Sequence, residues 1–252
     1  KCLLVVHYAG LPCDMDLICK ISNKYNLYLV EDCAHAIESK YKNKHCGTFG
    51  EVGCFSFYAT KNIAIGEGGM VISDHEELIS KIARLSLHGL SRDAWRRFES
   101  ASKKPYDVIE IGHKMNLTDL QSSIGIVQLS KVPQMQKRRK EIWQTYIDEL
   151  KDTELIMPKE KISEDSVHAR HLFACSLPSN ISRDDFVWRM SNNHQIVCGI
   201  HYNSIPNYSA YKTLVAEQGG ADNFLNSNQW GAATISLSLS AAISNEDIER
   251  IV

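Results

Sequence analysis

The chain has 252 residues, of which 44% are hydrophobic and 23% are charged. These proportions are typical of a globular protein, and the length suffices for one large core or two smaller ones. A formal net charge of −2 excludes the strong basic excess that a nucleic-acid-binding surface usually carries. No apolar run approaches the ~20 residues that a membrane span needs, so we expect neither nucleic acid nor a membrane as a partner.

The eight cysteines contain no Cys-x-x-Cys pair and no spacing typical of a zinc site, so we expect no metal. We interpret them as reduced thiols of a cytoplasmic protein, because a chain of this size does not need disulfides. The chain starts at Lys1 and goes almost directly into an apolar run. From this start we expect that the chain lacks an N-terminal portion.

The first thirty residues predict a strand, a helix and a second strand. Leu3–Val6 is a short apolar run typical of a buried parallel strand. Asp14 or Asp16 can cap the following helix, and Leu27–Val30 forms the second strand. In such βαβ units ligands bind at the carboxyl ends of the strands. Asp32, just past the second strand, is therefore placed for function.

A glycine-rich connection leads to an alternating strand over residues 54–58 and then to Lys61. This lysine has no carboxylate within four positions, and a glycine-rich turn follows it before the apolar strand Met70–Ile72. A desolvated lysine can lose its proton and attack a carbonyl, so we interpret Lys61 as a Schiff-base amine. The alternative is an exposed loop lysine.

Residues 76–87 have the apolar spacing of an amphipathic helix. The stretch from His88 to Pro105 has no clear periodicity, and a loop of this length in a compact domain is usually functional or disordered. Trp95 lies among three arginines there. We interpret the stretch as a functional loop; the alternative is a tryptophan packed under a charged surface.

The middle of the chain predicts two successive helices. Thr118 and Gln121 form a capping-box pattern that begins the first. Pro133 suits the first turn of the second, which runs to about Leu150. We place a domain boundary near residue 131, which gives a large domain over residues 1–130 and a smaller one over residues 131–252.

The smaller domain is predicted to contain both strands and helices. A strand spans residues 171–177, Ser182 opens a helix, and a second strand spans residues 196–202. A polar loop follows, and a terminal helix begins near Asn245.

Four polar residues lie at or just past predicted strand ends: Asp32, His35, Ser56 and Lys61. A carboxylate that keeps a pyridine nitrogen protonated, a lysine that forms an imine and a hydroxyl that meets a phosphate are what pyridoxal phosphate requires of a protein. Taken singly, His35 is more typical of a structural histidine, Ser56 of a plain strand residue and Asp32 of a turn. Together they favour a cofactor site.

Four segments in the same order resemble successive motifs of the DegT/DnrJ/StrS sugar aminotransferases. They are Glu-Asp-Cys-Ala-His-Ala at 31–36, the lysine segment at 53–69, His-Gly-Leu-Ser-Arg-Asp-Ala-Trp at 88–95, and Gly-His-Lys-Met-Asn-Leu-Thr-Asp-Leu-Gln at 112–121. The resemblance implies an α/β fold, the three-layer sandwich of pyridoxal-phosphate transferases of the aspartate aminotransferase type. The large domain would lack its N-terminal part, and the smaller C-terminal domain would be α+β.

The resemblance also implies roles for single residues. Lys61 would form the imine with pyridoxal phosphate and carry the proton, and Asp32 would pair with the pyridinium nitrogen. His35 would lie next to the cofactor ring, and Ser56 would bind the cofactor phosphate. Asn116 would reach the phosphate of the neighbouring subunit's cofactor across a homodimer interface.

The implied reaction moves an amino group from glutamate to a 4-keto nucleotide-linked sugar, as in amino-sugar and polysaccharide biosynthesis. The alternative is a noncatalytic family member, or a fragment, that acts in ligand sensing or assembly. Lys61 and Asp32 together favour the enzyme. The family's phosphate-binding loop would precede Lys1 and is not in this sequence, and its absence favours the alternative.

Overall fold

The computed structural model of the chain describes residues 1–91 and 107–252. Its elements are β1 (Cys2–Val6), α1 (Met15–Tyr25), β2 (Tyr28–Asp32), β3 (Lys40–Tyr41), β4 (Lys44–His45), β5 (Val52–Ser56), β6 (Gly69–Ile72), α2 (Glu76–Leu85), α3 (Asp119–Leu150), β7 (Phe173–Ser176), α4 (Arg183–His194), α5 (Lys212–Glu217), α6 (Leu225–Ala233), β8 (Thr234–Leu237) and α7 (Asn245–Ile251). The predicted functional loop around Trp95 lies outside the described residues.

The described residues form two compact units. Of the described residues, the first contains 1–8, 12–91, 107–132 and 162–167, and the second contains 9–11, 133–161 and 168–252. The domain boundary near residue 131 stays a prediction.

The first unit is built on a sheet in the order β1-β2-β5-β6. β1, β2 and β5 are parallel, which confirms the predicted βαβ unit, and β6 runs antiparallel to β5. The predicted end of the second strand was wrong, because Glu31 and Asp32 are the last residues of β2 and do not follow it. The predicted extension of β5 to Tyr58 was also wrong, since β5 ends at Ser56.

Helix α1 begins with a local cap and packs against this sheet through a small apolar cluster. The Asp14 carboxylate accepts a hydrogen bond of 3.1 Å from the backbone N–H of Leu17, so of the two predicted caps Asp14 is the one used. Buried apolar side chains then fill the space between helix and sheet, including Val5, Met15 and Leu29.

Helix α3 is a single helix, whereas the sequence predicted two. The capping box at its start is confirmed, because Thr118 and Gln121 each donate a backbone N–H to the other's side chain at 3.3 Å. Pro133 lies inside the helix without ending it. Although α3 is 32 residues long, it is not apolar enough to cross a membrane, and neither is any other helix among the described residues.

The second unit has a core around three aromatic rings. The Phe173 ring meets Trp143 edge-on at 4.8 Å and Tyr146 at 5.0 Å between ring centroids, an arrangement that aromatic pairs prefer. The Tyr146 hydroxyl donates to the carbonyl of Ser238 at 2.8 Å. Burial raises the pKa of Tyr146 to about 12.

Three local predictions hold in this unit and two do not. The strand predicted over residues 171–177 forms as β7, at Phe173–Ser176. Ser182 caps α4, and α7 begins at Asn245 as expected. The predicted strand over residues 196–202 was wrong, since the described structure has only an isolated bridge from Gly199 to Ser236 there. The predicted polar loop was also wrong, because the helices α5 and α6 and the strand β8 lie within it.

We expect Phe173→Ala to lower the free energy of unfolding by about 3–5 kcal/mol, because it leaves a cavity between two fully buried rings. Trp188→Ala is the matched control, because Trp188 is 61% exposed, and it should cost less than about 1 kcal/mol. Urea unfolding measures both. Equal losses in the two variants would contradict the assignment of the core.

Candidate functional site

Asp32 lies at the carboxyl end of β2, in the middle of the parallel part of the sheet. It is paired with Val6 on one side and with Cys54 on the other. One carboxylate oxygen accepts a hydrogen bond of 2.9 Å from the backbone N–H of Ala34. Over residues 1–91 and 107–252 the other oxygen has no hydrogen-bond donor, so it is available to a ligand.

Lys61 lies in the turn that follows β5, where its backbone N–H donates to the carbonyl of Tyr58 at 2.9 Å. Burial lowers the pKa of the Lys61 amine, and the negative charge of Asp32 opposes that effect. The two side chains are thus close enough to interact electrostatically. Even so, Lys61 Nζ forms no ion pair with any carboxylate of the described residues.

This arrangement of Asp32 and Lys61 differs from an ordinary ion pair. A lysine and an aspartate that served only the fold would gain most by direct contact. Here the two groups interact without an ion pair among the described residues, and the amine is partly desolvated, so that it gives up its proton more readily than a surface lysine. An amine of this kind can serve as a nucleophile or a base.

Glu38 and Asn62 anchor the residue next to Lys61, and sequence reasoning missed both. The Asn62 amide donates a hydrogen bond of 2.8 Å to the Glu38 carboxylate, which is buried. This bond fixes the backbone beside Lys61 to the connection that follows β2. The available signal was an amide directly after the lysine, together with an acidic residue in an otherwise apolar and small-residue stretch.

His35 and Ser56 lie in the same unit, near the ends of β2 and β5. The His35 ring is buried, and its centroid is 6.4 Å from that of Tyr8. Ser56 is the last residue of β5 and pairs with Gly69 of β6. Its hydroxyl oxygen accepts only a long bond of 3.4 Å from the N–H of Tyr58, so it can form a stronger bond to a ligand.

Asn116 lies far along the chain from the other predicted site residues. It is exposed and lies between the bridge at Lys114 and the start of α3. Its amide is accessible from solvent.

A buried group next to the site raises the question of a metal. His7, Glu31 and Cys33 place one ligand atom each within 4.8 Å of one another. The Glu31 oxygens, however, accept hydrogen bonds from the N–H groups of Gly47 (2.7 Å), Phe49 (2.6 Å) and Gly50 (2.8 Å), and one of them also bonds to His7 Nε2 at 3.1 Å. A cation would have to replace these bonds, so we assign the group to the fold.

The ring of His7 is neutral in this arrangement. Its Nδ1 accepts a hydrogen bond of 3.1 Å from the backbone N–H of Cys13, which requires a lone pair on that nitrogen. Nε2 therefore carries the proton and donates to Glu31. Burial tends to raise the pKa of Glu31, but the bonds from His7 and the three backbone N–H groups outweigh burial and hold that pKa below its ordinary value.

Comparison with known proteins identifies the class. The model of the DegT/DnrJ/EryC1/StrS aminotransferase family matches residues 1–252, and the chain belongs to this family. Protein MJ1066 of Methanocaldococcus jannaschii is 41% identical over the whole chain, and the spore coat polysaccharide biosynthesis protein SpsC of Bacillus subtilis is 35% identical. The chain spans 65% of the length of each of these relatives.

Solved structures of the family show the same fold. Spr1654 from Streptococcus pneumoniae, in its PMP form, matches the whole chain with a TM-score of 0.89 and 27% identity, over 67% of its own length. PseC from Helicobacter pylori, an aminotransferase involved in the biosynthesis of pseudoaminic acid, matches with a TM-score of 0.87 and 26% identity, over 64% of its length. The predicted fold of the pyridoxal-phosphate transferases is thereby confirmed.

We expect Glu31→Gln to lower the free energy of unfolding by roughly 3 kcal/mol, because an amide cannot accept all four hydrogen bonds and leaves buried N–H groups unpaired. Glu77→Gln on the exposed face of α2 is the control and should be nearly neutral. Urea unfolding at neutral pH measures the difference. A loss no larger than that of the control would contradict the role of Glu31.

The same variant has an expected pH signature. Because the folded-state pKa of Glu31 lies below its ordinary value of 4.5, the stabilisation from the ionised group is complete above about pH 4.5. It is lost as the pH falls through the folded-state pKa. The free energy of unfolding of Glu31→Gln should therefore fall less steeply in acid than that of the unsubstituted chain.

We expect Asp32→Asn to lower the pKa of Lys61 further, because it removes the negative charge that favours the protonated amine. The measurement is an NMR titration of the chain with its lysines methylated by ¹³C-formaldehyde. Glu67→Gln in the neighbouring exposed turn should leave the pKa unchanged. A pKa of Lys61 that stays constant or rises in Asp32→Asn would show that the two groups do not interact.

Proposed function

We propose that this chain carries the cofactor site of a pyridoxal-phosphate-dependent aminotransferase, which moves an amino group from glutamate to a 4-keto nucleotide-linked sugar. The observation that carries the proposal is a partly desolvated Lys61 in the turn after β5, on which the charge of Asp32 at the end of β2 acts without an ion pair among the described residues. Membership in the aminotransferase family supports the same activity. Spr1654 has been solved in a PLP form as well as a PMP form.

The residues present fit pyridoxal phosphate. The cofactor requires an amine for its aldehyde, a carboxylate for its ring nitrogen and hydrogen-bond donors for its phosphate. Lys61 provides the amine, Asp32 has a carboxylate oxygen open to a ligand, and Ser56 has a weakly engaged hydroxyl. Bound there, the cofactor would act as an electron sink for the charge that develops when a proton leaves the substrate carbon.

Lys61 both holds the cofactor and moves the proton. Its lowered pKa increases the fraction of neutral amine near pH 7, and only the neutral amine can accept a proton. With the amino donor bound, Nζ would accept the proton that leaves the substrate carbon and hold it for return. The bond from Asn62 to Glu38 keeps the backbone of this segment fixed meanwhile.

Asp32 keeps a proton on the ring nitrogen of the cofactor. A carboxylate next to that nitrogen favours its charged, protonated form. The bond from the Ala34 N–H leaves one Asp32 oxygen to accept from the ring. His35, a buried residue three positions after Asp32, would lie next to the cofactor ring near Asp32.

The phosphate would be held from two subunits. From this chain, the hydroxyl of Ser56 at the end of β5 would donate a hydrogen bond to the phosphate. In a homodimer, Asn116 would reach the phosphate of the neighbouring subunit, and its exposed position is compatible with that role.

The sugar substrate is proposed from the relatives. SpsC takes part in spore coat polysaccharide biosynthesis, and PseC in the biosynthesis of pseudoaminic acid. Both names support a carbohydrate substrate for this chain. Glutamate as donor and a 4-keto nucleotide sugar as acceptor are the specific form of this proposal.

We expect borohydride treatment of the chain with added pyridoxal phosphate to attach the cofactor to the peptide that contains Lys61, as mass spectrometry of a digest would show. Lys61→Ala should remove the label from that peptide. Lys81→Ala, on the exposed side of α2, should leave the labelling intact. Labelling spread over surface lysines, or no labelling at all, would contradict the cofactor site.

We expect Asp32→Asn to keep the labelling of Lys61 and to lower transamination by roughly 100-fold or more, because Asn cannot hold the ring nitrogen protonated. Transfer from glutamate to a panel of 4-keto nucleotide sugars measures this activity. Full activity of the variant would refute the role of Asp32. Activity with other keto acceptors alone would refute the substrate class.

A further inference from the structure

The second unit has a wide cleft that contains none of the residues proposed for the cofactor. Its volume is about 940 Å³, within the range of small-molecule sites. It lies between the segment from Ser176 to Asp184 and helix α6, and Ile156 lies at its edge. We call it the Trp230 cleft, after its one aromatic residue.

Large apolar side chains in the cleft remain exposed to solvent. Trp230 is 38% exposed, Ile181 is 39% exposed and Ile156 is 63% exposed. A flat apolar face laid on the indole would be removed from water together with these aliphatic groups, which stabilises the bound form.

Neutral polar groups accompany this apolar surface. The amides of Asn226 and Gln229 and the hydroxyl of Ser179 line the cleft and are exposed. In the described part of the chain these three side chains make no hydrogen bond, so their donors and acceptors are available.

The opposite charges of Arg183 and Asp184, the two charged residues of the cleft, largely cancel. Arg183 donates to the Asp184 carboxylate at 2.9 and 3.0 Å, to the side-chain oxygen of Asn203 at 3.0 Å, and to the carbonyl of Gly231. The Arg183 side chain is only 13% exposed. The cleft therefore offers no uncompensated positive charge to a phosphate or a carboxylate.

We propose that the Trp230 cleft binds a neutral saccharide. A pyranose ring has one face of C–H groups, which packs on an aromatic ring, and a rim of hydroxyls, which both donate and accept hydrogen bonds. Trp230 matches the face, and Asn226, Gln229 and Ser179 match the rim. The cleft shares no residue with the proposed aminotransferase site, and the proposal does not depend on that function.

Isothermal titration calorimetry of the full chain with maltotriose and with the trimer of N-acetylglucosamine, both without added pyridoxal phosphate, tests the proposal. We expect saturable binding of at least one of them, and binding at least tenfold weaker in Trp230→Ala. Trp188→Ala is the matched control, because this exposed tryptophan of the same unit does not line the cleft, and it should bind like the unsubstituted chain.

Gln229→Ala provides a second variant in case Trp230→Ala fails to fold, since Gln229 is exposed. It should weaken binding several-fold. The proposal is overturned if neither trisaccharide binds, if binding is unchanged in the cleft variants, or if Trp188→Ala weakens binding as much as they do. Glucuronic acid should bind no more tightly than glucose, and a clear preference for the acid would also overturn it.

Discussion

The hydrogen bonds to the Glu31 carboxylate determine the geometry around the candidate site. Three backbone N–H groups of the connection between β4 and β5 point at this one side chain, and His7 of the neighbouring segment meets it from the other side. The carboxylate therefore ties the end of β2 to a loop more than fifteen residues away. Without it, the loop would have buried donors and no partners.

The same connection requires glycine for close approach. Gly47 has φ +90°, and a Cβ on it would lie 2.7 Å from the Phe55 ring; a Cβ on Gly50 would lie 2.3 Å from the carbonyl oxygen of Leu29. The loop backbone thus packs directly on β2. Because successive strand side chains point to opposite faces of the sheet, a Glu31 that faces this loop leaves Asp32 to face the other side, where it acts on Lys61. The structural and the chemical carboxylate are adjacent in sequence and separate in function.

The sequence predicted the features that interactions between residues close in the chain determine, such as helix caps and a short apolar strand. Asp14, Thr118 and Ser182 each sit three residues before the N–H that they cap, and the apolar run of β1 needs no distant information. It did not predict that α3 continues through Pro133, where the buried residues of the helix, from Arg139 to Leu150, all follow the proline. Nor did it predict that α6 is a helix, since residues 225–233 have no one-sided apolar spacing.

For the candidate site, the sequence indicated the residue types but not how they are supported. Lys61 and Asp32 stand out by position and chemistry, and the structure places them within electrostatic reach. The bond from Asn62 to Glu38 joins residues 24 positions apart, and no periodicity or cap signals such a contact. This bond fixes the backbone next to Lys61, while among the described residues Lys61 and Asp32 stay separate, without an ion pair. That separation distinguishes a site prepared for a ligand from a surface salt bridge.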